Sequence, residues 1–123
     1  MALVTGSTIT GTAGGIIETN LALTAGGTIN FTDANTNVTT LAIDTSTGNV
    51  AFTEADGFAV GTVLSVTGVD TDAGSVALTA TTGNLAVNNT GAADDIQATT
   101  TIALTATADN ASITIDATAD VES

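Results

Sequence analysis

The chain has no lysine, arginine, histidine, cysteine, proline, tryptophan or tyrosine, and each absence excludes a class of function. Without a side-chain cation it cannot neutralise phosphates, on which nucleic-acid binding rests. It cannot supply the lysine of a phosphate-cradling P-loop or form a Schiff base. Without histidine or cysteine there is no zinc site of the usual kind and no Ser–His or Cys–His nucleophile pair. Thirteen carboxylates give a net charge of −13, so anionic membranes should repel the chain. Every apolar run is short and broken by Gly or Thr, too short for a membrane-spanning helix. We therefore expect no enzyme, no nucleic-acid partner and no membrane insertion. Hard cations held through oxygen stay open. The missing cysteines do not fix a compartment, because a protein held by long strand ladders needs no disulfides.

What is present is Thr, Ala and Gly with short-period apolar residues, at a mean hydropathy of +0.43. That is too hydrophobic for a disordered polar tail. The stretch Val76–Asn89, VALTATTGNLAVNN, reads as strand, turn, strand: Val76, Leu78 and Ala80 alternate with small neighbours, and so do Leu85 and Val87. Similar units run over residues 21–33, 41–54 and 102–116. Repetition of one supersecondary unit points to a repeat architecture. Helix is a poor fit, because the apolar period is two and Thr, Val and Ile favour strands.

Leu41 follows Leu21 by 20 residues, and Val50 and Phe52 follow Ile29 and Phe31 by 21. Such offsets suggest successive coils with like residues superposed at ~4.8 Å. The interval from Phe58 to Val76 is 18 and reads as a further coil. The interval from Val76 to Ile102 is 26, which places an insertion in the Thr90–Thr100 loop around Asp94, Asp95 and Ile96. The expected fold is all-β: a parallel β-solenoid (β-helix) of about five irregular coils, forming one segment over residues 1–123 of a longer array. The alternative is an antiparallel β-sandwich built from the same hairpin-like units. Phe31 and Phe52 hold equivalent places and predict an internal aromatic stack. Outward threonines predict ladders, each pair contributing about 0.2–1 kcal/mol.

The units LALTAGGTINFT, VALTATTGNLAVNN and IALTATADNASITID resemble the repeats of filamentous-haemagglutinin-type proteins. FTEADGFAVGTV, residues 52–63, is similar to a phrase recurring in giant tandem-repeat bacterial surface proteins. The likeness covers roughly Leu21 to Asp116. It implies a long right-handed parallel β-helix in a secreted or surface-attached adhesin or matrix protein, with no catalytic motif to carry over. The family's secretion domain is not in this sequence, and the opening MALVTGSTITG lacks the basic and apolar regions of a signal peptide. An export signal elsewhere in a longer chain is the expectation.

Glu54 with Asp56, and Asp70 with Asp72, are carboxylates two apart that would share a strand face if extended. Paired carboxylates can serve glycoside hydrolysis, but these sit in turns with no aromatic platform beside them. Calcium is the better functional reading. Asp70-Thr71-Asp72-Ala73-Gly74 alternates oxygen ligands before a glycine, and Asp33-Ala34-Asn35-Thr36-Asn37 alternates likewise, with Asp44 in the twelfth place. Val38 occupies the position where the sharp-turn glycine of a calcium loop belongs. The competing reading is a solvated acidic turn. Asn30, Asn37, Asn88 and Asn110 open glycosylation sequons, some of which chance supplies in so Thr-rich a chain.

The expected role is mechanical: a spacer or surface-display rod, extracellular or on a bacterial cell surface. Its partners would be neighbouring coils, identical subunits joined through open strand edges, or a cell-surface or matrix receptor. One rival is a self-assembling filament or surface-layer subunit. Another is a carbohydrate-binding or tailspike-like module.

Overall fold

A computed structural model describes residues 1–91 and 95–123 of the chain. Sixteen strands alternate with turns. They are β1 (Ala2–Thr5), β2 (Ile9–Gly11), β3 (Ile17–Ala25), β4 (Ile29–Phe31), β5 (Asn37–Thr45) and β6 (Val50–Glu54). Next come β7 (Phe58–Val60), β8 (Thr62–Val63), β9 (Val66–Thr67), β10 (Val69–Thr71), β11 (Val76–Ala80) and β12 (Leu85–Val87). The last are β13 (Ile96–Gln97), β14 (Ile102–Ala106), β15 (Ile113–Ile115) and β16 (Val121–Glu122). There is no helix among the described residues. The sequence explains this: β-branched residues at period two suit a pleated surface, and glycines and asparagines break the runs.

Three rows of strands result. The first stacks β1, the second half of β3, the second half of β5, β10, β13 and β16. The second stacks β2, β4, β6, β11 and β14. The third stacks the first halves of β3 and β5 with β7, β12 and β15. The long strands β3 and β5 each contribute to the first and third rows. They join those rows into one curled nine-stranded sheet, opposite the five-stranded second row.

Every pairing in the rows is parallel; only the small β8–β9 hairpin is antiparallel. The antiparallel sandwich is thereby overturned. Each strand must wait for the chain to traverse the other rows before its partner arrives, which a tight hairpin cannot do.

Register brings like residues into columns. Ile29, Val50, Val76 and Ile102 align in the second row, and Leu23, Ile43, Val69, Ile96 and Val121 in the first. Most of these side chains are buried in one continuous core, with Ile102 packed partly against it. Each fully buried aliphatic or aromatic side chain contributes about 1.5–3 kcal/mol. Phe31 stacks on Phe52 at 6.1 Å and 26°, and Phe58 meets Phe52 edge-on at 5.6 Å and 69°. The Phe31 ring lies over Gly11, where an added Cβ would come within 2.1 Å of it, so glycine is required by close approach. Thr53, Thr79 and Thr105 form an in-register ladder on the second row.

Two spacings differ from expectation. Phe58 does not align with Val76; it pairs with Leu85, 27 residues on, and Val76 pairs with Val50. The extra length enters where the third row passes to the first. Leu41 reaches Ile43 through one residue, whereas Val60 reaches Val69 through the hairpin 61–68. Of the insertion expected around Asp94, Asp95 and Ile96, Asp94 lies outside the described residues. Ile96 is not loop but core strand.

Candidate functional site

The carboxylates were the only side chains with chemistry to offer, and the fold sorts them by position. Among the described residues three are buried: Asp33, Glu54 and Asp95. Asp33 follows β4 and closes a turn. Its Oδ1 accepts from the backbone N–H of Asn35 at 2.8 Å and from Asn35 Nδ2 at 2.9 Å. Those two bonds, helped by the N–H groups of Gly15 and Gly14, hold its pKa below the ordinary carboxylate value despite some desolvation. Asn35 thus donates to Asp33. Asn37 points elsewhere, its Nδ2 donating to Asp56 Oδ2 at 2.6 Å. Of the candidate calcium ligands, Asp33 and Asn35 are brought together and Asn37 is drawn to another turn.

Asp70 and Asp72 flank Thr71, whose side chain is buried and donates to the carbonyl of Gly48 at 2.7 Å. Asp70 lies in register between Asp44 on β5 and Gln97 on β13. Like charges on adjacent strands repel. Asp72 lies past the end of β10 and is exposed; its carbonyl accepts from the Thr99 hydroxyl at 2.9 Å. Among the described residues, no three Asp, Glu, His or Cys side chains gather as a metal-holding group.

Glu54 and Asp56 do not share a face. β6 ends at Glu54, whose side chain is 0% exposed, and Asp56 is exposed in the following turn. Among the described residues, both Glu54 carboxyl oxygens and the buried Thr36 hydroxyl find no hydrogen-bond partner. Burial pushes the Glu54 pKa up. The backbone N–H groups of Asp56, Val38 and Ala55 oppose this without closing a hydrogen bond, and the Asp56 charge adds to the rise.

Asp95 was not singled out by sequence reasoning. Burial alone would raise its pKa. That is outweighed by the Thr90 hydroxyl at 2.5 Å, the Thr90 N–H at 2.6 Å and the Asp120 N–H at 3.1 Å, which leave it lowered. It ties Thr90 to Asp120 just ahead of β16, a structural duty. Its neighbour Ile96 is fully buried, a sign of order that the apolar residue alone could have given.

Three surface concavities are open and lined mainly by Thr, Asn and Ala; one carries Asp72 and Glu122 and another Glu18. Large apolar side chains are exposed at both ends of the stack and on the hairpin: Val4 and Ile17 at one end, Leu64 at the hairpin tip, and three more at the other end. Ile113 is 43% exposed, Ile115 47% and Val121 37%, all on the last strands of their rows. No protein-family model, no curated protein and no solved structure matches this chain.

Proposed function

We propose that the chain is a parallel β-solenoid stretch of about five irregular coils that serves as a spacer or display rod in a large bacterial cell-surface or extracellular protein. The observation that carries this reading is the columnar register: like residues stack in all three rows, as repeated translation along one axis requires. The resemblance to filamentous-haemagglutinin repeats supports the same reading, and so does an all-acidic surface that keeps such a rod soluble. The hairpin over residues 61–68 leaves the stack at the passage from third row to first. Length added at that corner leaves the stack intact, which suits display. Five rungs advance only about 24 Å, so a rod needs further rungs above or below these.

Single-molecule pulling between the two ends tests the solenoid. Coils of 19 to 28 residues should open in contour steps of roughly 6–10 nm. One undivided rupture would count against coil-wise architecture. Antibodies against the chain should label intact cells of the source bacterium; labelling only after lysis would remove the surface role.

A further inference from the structure

The two ends of the stack differ, and the difference selects an occupant for the open edge. At one end β14, β15 and β16 each have a strand on one side only. They present Ile113, Ile115 and Val121, all more than a third exposed, beside the half-buried Ile102 and Leu104. At the other end lie β1, β2 and the first half of β3, with Leu3, Ile9 and Ile16 packed partly against the core. We propose that these two ends join between copies: the β14–β15–β16 edge of one molecule receives the β1–β2–β3 edge of a second molecule of the same chain, head to tail. This rests on the solenoid reading above and adds the partner, polarity and register.

Three observations favour a translated copy. Every row pairing is parallel, so a copy moved along the axis continues the pattern, whereas a copy turned end over end would present antiparallel strands. Two apolar columns continue, Ile102 onto Ile9 and Val121 onto Leu3. Extending the second row by one rung sets Ile102 against Ile9 of the next copy, Ala103 against Thr10 and Leu104 against Gly11, and extending the first sets Val121 against Leu3. Charge also discriminates. Residues 102–123 carry Asp109, Asp116, Asp120 and Glu122, while residues 1–20 carry only Glu18. Two β14–β15–β16 edges face to face would double an uncompensated acidic set; head to tail meets a nearly neutral surface.

Directed cross-linking tests this, because the chain has no native thiol. Thr10 and Ala103 are exposed, and the proposed register places them on adjacent strands across the junction. Neighbouring strands lie about 4.8 Å apart, within disulfide reach. Mixed under mild oxidation, Thr10→Cys and Ala103→Cys proteins should give the mixed dimer in large excess over either homodimer. The double variant Thr10→Cys/Ala103→Cys should give a ladder of linear multimers. A collisional mixture of all three dimers, a predominance of homodimers, or no dimer overturns the proposal.

Ala77→Cys/Ala103→Cys serves as the internal control, since those residues pair within one molecule. Closure there, with no mixed dimer, removes the head-to-tail junction and leaves the solenoid standing. Failure of the internal disulfide removes both.

Discussion

Inside the stack a carboxyl group is cut off from bulk solvent, and Glu54, fully buried, has this environment. Its folded pKa lies above the ordinary 4.5. A raised acid contributes stability fully below the unfolded pKa and loses it as pH climbs through the folded value. Asp33 and Asp95 have the opposite sign: each lies below 3.8, so their contribution is present above that value and lost as pH falls through the lowered one. Stability should therefore peak on the acid side of neutrality. Replacing the buried carboxyl by an apolar group of similar size, Glu54→Met, is expected to raise unfolding free energy at neutral pH by about 1–3 kcal/mol, with a smaller gain near pH 4. Urea titrations at the two pH values check this, and equal gains at both would show that the carboxyl is satisfied. The residue pair Glu54 and Asp56 also shows where sequence reading stopped. Spacing by two gives a shared face only if the strand continues, and β6 ends at Glu54.

At the scale of elements, the hairpin β8–β9 is an addition laid on the outside of the stack. Val63 packs on Ala22 and Ala42, with Val66 partly buried against them, a cluster separate from the main core. At its tip Leu64 is 76% exposed and adopts φ +57°, where glycine is favoured in such turns. Leu64→Gly removes the left-handed penalty while loosening the unfolded chain. The net gain should be about 0.5–1 kcal/mol, read as a higher denaturation midpoint; a loss would mean that the leucine makes contacts of its own.

The hairpin also explains the change of period. Replacing residues 61–68 by a single alanine recreates the Leu41-Ala42-Ile43 passage between Val60 and Val69. The strand signal in circular dichroism should survive, with a loss of about 1–3 kcal/mol from removing Val63 and uncovering Ala22 and Ala42. Collapse of the β signal would show that the hairpin is needed to hold the rows. The four similar units misled at this scale. Residues 21–33 and 41–54 run from first row to second, whereas 76–89 and 102–116 run from second to third. Leu21-Ala-Leu-Thr and Ile102-Ala-Leu-Thr read alike because both rows ask for the same thing, apolar inside and small outside.

For the molecule as a whole, a net charge of −13 without a single Lys, Arg or His must be carried by backbone ladders and a narrow core. Self-repulsion weakens a compact state, and salt screens it over a Debye length of about 8–10 Å. The melting temperature should rise steadily from low to high NaCl. A flat or falling curve would mean that turns and hydrogen bonds already separate the charges well enough.

What the sequence alone determined is the all-strand character, the lack of helix, the Phe31–Phe52 stack and the offsets of 20 and 21, because side-chain alternation and β-branching act within a few residues of chain. What only the tertiary structure decided is which row each strand joins, where the chain leaves the stack, and which carboxylates face inward. Partners in a parallel row lie 19 to 28 residues apart, and several strands satisfy the same local pattern. Their assignment is fixed only when the whole stack closes around one core.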